Sequence, residues 1–412
     1  VIGVALNLDD DEITFYKNGT SQGTITTKTF TGAYKPAVGR GASTGSTSYT
    51  LNAGQRAFAY AAPSGFKTLN TASLPTATVP DGSDYFDIAL YTGTGNSGQT
   101  VSGLSFSPDL VWFKSRSESQ NHAVFDTVRG VEKRLHPNLT QSQDDSATGL
   151  TAFNSDGFTF SSNNVNGKSG VSYASWAWDA GSSTVSNTDG NITSSVRANQ
   201  TAGFSIVSFN LSVTNTEKTI GHGLNAAPTF YLIKNRSSAD NWYAYTTAVD
   251  GTLDFRYLNT SEGFSDSSRT LPTSSVFSFA SSTTGDHIAY CFTPVDQYQA
   301  VGSYVGTGNA DGPFCHCSFR PALVLIKRDG SANWCLYDTS RDPFNDATHV
   351  LNPDTNGGGN TNDAFVSDVS IDILSNGFKI RDTDGELNTT GDTYIYYAVA
   401  ENAFSLNGGL AR

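Results

Sequence analysis

The sequence has no methionine, few positive charges and no long apolar run, and each shortage excludes something. Lys and Arg number 25 against 38 Asp and Glu, a formal net charge of −13. Phosphate binding draws its free energy from clustered Lys and Arg, and no basic run stands out here, so nucleic acid is not expected as a partner. No apolar stretch approaches the roughly 18 residues a spanning helix needs, and no secretory-type signal opens the chain, so membrane insertion is not expected either. The four cysteines, Cys291, Cys315, Cys317 and Cys335, are too few and too local for a disulfide framework over 412 residues. Stability is expected to come from packed cores. The first residue is Val, and with no Met in the sequence the expectation is a chain that begins inside a longer protein.

What is abundant points one way. Forty Gly, 12% aromatic residues and only 15% charged residues, with many Ser, Thr and Asn, favour short strands, tight turns and polar loops over long helices. The predicted fold class is all-β, as tandem antiparallel β-sandwich modules. The opening "VIGVALNLDDDEITFYKNGTSQGT" alternates cleanly: Val4, Leu6 and Leu8 share one face, Ile13 and Phe15 share another, and Asn18-Gly19 supplies the reversal.

The segments G-V-A-L-N-L-D and I-T-F-Y-K-N-G, followed by "YKPAVG" and "LNAGQRAFAY", resemble the closing strands of a SPRY domain, a concanavalin-like β-sandwich. The resemblance covers residues 1–66 and implies that the missing strands precede residue 1. The next stretch, "PSGFKTLNTASLP" (63–75), is similar to a junction in structural proteins of tailed bacteriophages, marine ones especially, where a SPRY-like module precedes further β modules. It implies a virion structural protein on the particle surface: a fibre or spike-type appendage that attaches to host-surface polysaccharide. Its partners would be other virion proteins and copies of itself, with a homotrimer favoured. A purely architectural capsid-decoration or tail-connecting role without ligand is the alternative, and a secreted carbohydrate-binding module array is another.

Beyond a linker at 67–83 the chain repeats itself. "SPDLVWFKSR", "APTFYLIKNR" and "RPALVLIKR" each place a Lys six residues after a Pro: Lys114, Lys234 and Lys327. "YTGTGN" (91–96) matches "YVGTGN" (304–309), with the weaker "SFNLSV" (208–213) between them. Asn241-Trp242 matches Asn333-Trp334, and "SDGF" (155–158) matches "SNGF" (375–378). Each unit closes on Gly and an aromatic-rich strand: "GVSYASWAW", "GDHIAYCF" and "GDTYIYYAVA". The predicted organisation is three homologous β-sandwiches at 84–181, 196–297 and 298–404, with a linker at 182–195 and a tail at 405–412. Units of this size can each bury a core alone, so they are pictured as beads that pack together. The lysine strand and the closing strand, apolar on both sides, are expected at the centre of each sheet. The Arg after the Lys moves from Lys+2 in two units to Lys+1 in the third, which turns its side chain to the other face; the Lys therefore reads as a structural strand-end residue.

No G-x-S-x-G is present, the six His do not recur at matching positions, and no pair of carboxylates is placed by sequence for glycoside hydrolysis. The reading is non-enzymatic, without cofactor or metal. "CHC" at 315–317 invites zinc, yet alternate Cys on a strand share one face, so buried thiols with an exposed His316 are expected; a bridge from either to Cys335 is left open. "DDDE" (9–12) and "DTDGE" (382–386) read as turns rather than calcium loops. Asp126-Arg129 and Asp338-Arg341, from a shared D-T-x-R, are expected to form local ion pairs that pin a loop, with a sugar or anion site as the alternative. For glycan binding the candidates are Trp242 and Trp334, with Asn241, Asn333, Arg236 and Arg328 to hydrogen-bond sugar hydroxyls.

Overall fold

In each repeat the lysine strand is apolar on both faces because both faces are covered. Leu110–Ser115, Phe230–Asn235 and Phe319–Arg328 are these strands. The computed structural model describes residues 1–30, 36–38, 48–70, 73, 75–145, 149–161, 165–355 and 369–403. "YKPAVG" lies partly outside these residues, and the tail at 405–412 entirely so. The described chain is all-β and antiparallel, and it divides into two compact units, Val1–Pro75 and Thr76–Arg412.

The first unit carries a three-stranded meander, Ile2–Asn7, Glu12–Lys17 and Thr20–Ile25. Val4 lies opposite Phe15 and Leu6 opposite Ile13, as the alternation predicts. Asn18 and Gly19 both take positive φ, 48° and 81°, the conformation of a type I′ hairpin turn.

In the second unit the same four strands recur three times in the same order. An opening strand pairs with the closing strand, the closing strand with the lysine strand, and the lysine strand with the one that follows it. In repeat 1 these are Phe86–Thr92, Ser172–Trp178, Leu110–Ser115 and Ala123–Asp126. In repeat 2 they are Phe204–Leu211, Gly285–Phe292, Phe230–Asn235 and Trp242–Thr246, and in repeat 3 Gln299–Val305, Thr393–Ala403, Phe319–Arg328 and Cys335–Asp338. A smaller sheet faces each, completing a sandwich. Repeat 1, for example, closes Val111, Phe113 and Phe125 against Val101, Leu150, Phe158 and Phe160.

The other face of each of these larger sheets, four-stranded in repeats 1 and 3 and eight-stranded in repeat 2, meets the other two repeats. Leu110 and Trp112, Phe230 and Leu232, and Leu323 and Leu325 all point into one shared core, while Val111 and Tyr231, one residue along, turn towards their own sandwiches. A small apolar cavity of about 30 Å³ lies among these six shared-core side chains. The repeats are therefore not separate beads. Nor are the connecting segments simple linkers. Of 182–195, Thr184–Asn187 and the start of Ser194–Asn199 extend the sheet of repeat 2, and in 67–83 Val79 is 1% exposed and joins the shared core.

The matching turn sequences have a local reason. Tyr91 stacks on Tyr173, Phe209 on His287 and Tyr304 on Tyr394, each a cross-strand pair between opening and closing strands, with ring planes 15°, 15° and 6° apart. The Gly two residues after each Tyr is required by close approach. A Cβ on Gly93 would come within 2.2 Å of the Lys168 carbonyl oxygen, and one on Gly306 within 2.2 Å of that of Thr389. Because the repeats share a core, they are expected to unfold as one cooperative calorimetric transition. Three resolved transitions of comparable enthalpy would show independent beads.

Candidate functional site

The repeated residues converge on the junctions between repeats. Lys114, Lys234 and Lys327 are each fully buried at the end of the shared-core face. An ammonium has three donors and cannot be left dry without acceptors. Lys234 Nζ donates to the Asp240 carbonyl at 2.8 Å and, across the junction, to Thr140 of repeat 1 at 3.0 Å. Lys327 Nζ does the same one repeat later, to Ala332 at 2.6 Å and to Ser261 of repeat 2 at 3.1 Å. The acceptor carbonyls also take a backbone N–H from the incoming repeat, Asp240 onto Thr140 and Ala332 onto Ser261. Burial pushes both lysines down to about 8, with the carboxylates of Asp240 and Asp354 respectively working against the shift. Lys114 Nζ donates to the Ser115 carbonyl at 3.0 Å.

Trp242 and Trp334 belong to the same junctions, which corrects their reading as a glycan platform. Each is 1% exposed and has no face to offer a sugar. Trp242 Nε1 donates to the His136 carbonyl of repeat 1 at 2.8 Å, and Trp334 Nε1 to the Tyr257 carbonyl of repeat 2 at 3.2 Å. Their companions are occupied as well. Asn241 Oδ1 accepts from Asn259, and Asn333 donates to Glu386. Arg236 donates to Gln143 of repeat 1 and to Ser208; Arg328 pairs with Asp392 and reaches the Gly385 carbonyl. The six candidates thus fall in two separate places, around Trp242 and around Trp334, and do not assemble one binding surface.

The third junction closes the ring, through a residue the sequence comparison missed. His122 stands where the other repeats have Trp, and Asn121 before it is the signal that would have found it. Its Nδ1 accepts from Trp112 Nε1 at 2.9 Å, so the neutral ring carries its proton on Nε2, 3.2 Å from the Asn352 carbonyl of repeat 3. Burial, and then the Lys114 charge, hold its basicity well below the ordinary histidine range. Contacts thus run from repeat 2 to 1, from 3 to 2, and from 1 to 3.

The D-T-x-R pairs complete two junctions. Arg129 Nε meets Asp126 Oδ2 and Arg341 Nε meets Asp338 Oδ2, each at 2.5 Å with both side chains fully buried. The second carboxylate contact comes from the next repeat's closing strand. Tyr290 hydroxyl donates to Asp126 Oδ2 at 2.8 Å, and Trp176 Nε1 to Asp338 Oδ2 at 3.0 Å, with the Arg341 guanidinium 5.8 Å from the Trp176 ring centre. Burial works against the Arg129 charge, but Asp126 and Tyr290 outweigh it and hold the guanidinium charged. Strand register puts Thr246 at the corresponding position of repeat 2. Tyr397, the counterpart of Tyr290 and Trp176, there hydrogen-bonds Gln299 at 2.9 Å and packs against Phe230 and Phe292. This junction thus has Thr246 and Tyr397 where the other two carry a buried Asp–Arg pair.

The remaining sequence candidates lie apart from the ring contacts. Cys315 and Cys317 are buried, His316 between them is exposed, and all four thiols are unbridged. Burial raises the thiols of Cys291, Cys315, Cys317 and Cys335 above their ordinary range. In "DTDGE", Asp382 and Asp384 accept backbone N–H groups of their own turn. Among the described residues no three His, Cys, Asp or Glu side chains are arranged to hold a metal ion.

Two outcomes test this assignment. Asp126→Thr is expected to cost about 3–5 kcal/mol in urea unfolding because it leaves Arg129 buried without its counter-ion. Asp126→Thr with Arg129→Val, the residues of repeat 2, should cost less, roughly 1–3 kcal/mol for the orphaned Tyr290 hydroxyl. For His122, nitrogen NMR is expected to show the neutral Nε2–H form still present at pH 5. Since its basicity is depressed on folding, its contribution is complete above the unfolded value of about 6.5 and is lost as pH falls through the folded one.

No curated protein matches the chain. The family described as "Domain of unknown function (DUF7483)" matches residues 81–403, which takes in all three repeats as one domain. The chain belongs to this DUF7483 family.

Proposed function

We propose that the chain is a non-catalytic structural component of a tailed-phage particle, an appendage or decoration module that works by shape and attachment rather than turnover. The observation that carries this reading is the employment of the repeated residues. Lys234, Lys327, Trp242, Trp334 and the Asp of each D-T-x-R pair all bond from one repeat to another, so what was kept through duplication is architecture. The SPRY resemblance of residues 1–66 and the phage-like junction at 63–75 supply the particle.

A ring of three sandwiches in one chain suits such a role. Its rigidity comes from a shared core, and its acidic charge of −13 disfavours adhesion to nucleic acid. Attachment to a host glycan, if the chain performs it, must use residues other than the tryptophans. The test is location. Antibody labelling of intact particles, imaged by electron microscopy, is expected to mark the capsid surface, tail or fibres. Recovery of the chain only as a free secreted protein, absent from purified particles, would overturn the proposal.

A further inference from the structure

The eight-stranded sheet of repeat 2 ends on a two-residue strand, Ser265–Asp266, paired antiparallel with Asp254–Tyr257. The register sets Asp254 directly opposite Asp266, a pairing that two like charges destabilise. Asp254 is 3% exposed, whereas Asp266 lies in solvent. Among the described residues no N–H or hydroxyl donates to the buried Asp254 Oδ2, and the group within hydrogen-bonding reach is the Asp266 carboxyl. A buried carboxylate oxygen without a donor is strongly unfavourable, and a single proton held between the two carboxyls removes the conflict.

The surroundings supply no counter-charge. Asp250, in the turn before the strand, and Asp329 of repeat 3 add to the repulsion. Arg256, two residues along the same strand, is engaged by the Gly263 carbonyl and the Ser265 hydroxyl. Of the two cations that precede Asp329, Lys327 donates to carbonyls and Arg328 pairs with Asp392. Burial, and then the charges of Asp250, Asp266 and Asp329, raise the Asp254 carboxyl to about 7. The loop that leads into the short strand is where repeat 3 packs. Lys327 Nζ and the Ala332 N–H both donate to the Ser261 carbonyl, and a Cβ on Gly263 would overlap the Asp329 carbonyl oxygen.

We propose that Asp254 and Asp266 share one proton and form a pH-sensitive latch, which holds the outermost strand of repeat 2 on its sheet beside the junction with repeat 3 and releases that strand when the proton passes to solvent. The buried Asp254 is the donor and the solvated Asp266 the acceptor. In the opened strand Asp254 meets water, where its carboxyl titrates at about 3.9. The folded value is the higher one, so the contribution of the latch is complete below about 3.9 and is lost as pH rises through about 7. The inference stands on this strand pair and does not depend on where the chain resides.

Amide hydrogen exchange of the full chain at pH 6 and pH 8 tests it, read at Ser267, whose N–H donates to the Leu253 carbonyl at 2.6 Å. After correction for the intrinsic exchange rate, protection at Ser267 is expected to fall about tenfold between the two, the linkage for a carboxyl that moves from about 7 to about 3.9 on opening. Asp254→Asn keeps a donor towards Asp266 at every pH, and Asp266→Asn offers Asp254 a donor in place of a repelling charge, so each should abolish the fall. Asp296→Asn, at an exposed carboxylate elsewhere, should leave it unchanged. Equal protection at both pH values in the unaltered chain, a fall that persists in the pair variants, or one that disappears with Asp296→Asn would overturn the proposal. So would a fall abolished by millimolar calcium, because the pair would then hold a cation instead of a proton. Asp266 is exposed, so its variant is expected to fold, and it carries the comparison if Asp254→Asn does not.

Discussion

The second unit depends on one constraint: three sheets bury their outer faces against each other, and three lysines must then be accommodated without water. A lysine at the end of an apolar strand is ordinarily free to reach solvent. Here each is fully enclosed, and for two of them the missing hydration is replaced by carbonyls drawn partly from the neighbouring repeat. The strand sequence and the ring geometry are therefore not independent. The apolar residues demand a cover on both faces, and the cover brings the carbonyls that the lysine needs.

Much of this was legible in the sequence. Period-two alternation and Gly turns give the strands, and the two-sided apolarity of "LVWFK" and "SYASWAW" places them at sheet centres, where they lie. The reading of the Lys as structural also follows, from the slip of the Arg beside it. What the sequence does not carry is the identity of the cover. Leu110 and Val111 look alike in a list of residues, though one serves the shared core and the other its own sandwich. A repeat long enough to close a core alone therefore reads as a bead.

The tryptophans show the same limit at the level of sites. An aromatic after Asn and near Arg has the composition of a sugar platform, and composition is silent about burial. Trp242 and Trp334 each have a carbonyl acceptor in the preceding repeat, and only the fold supplies it. His122 was hidden for the opposite reason. It differs in kind from its counterparts, although it occupies their place and performs their contact. The D-T-x-R pairs fall between these cases: their spacing makes the local pairing readable, while Tyr290 and Trp176, more than 160 positions away, complete them unseen.

The mixture of two junctions with a buried Asp–Arg pair and one without it also separates this ring from an assembly of identical subunits. Three separate chains would have to use the same contact three times, and their ring would fall apart on dilution. Covalent connection lets each junction take its own chemistry, and it makes closure a first-order event. The threefold arrangement therefore persists at any concentration, down to a single molecule.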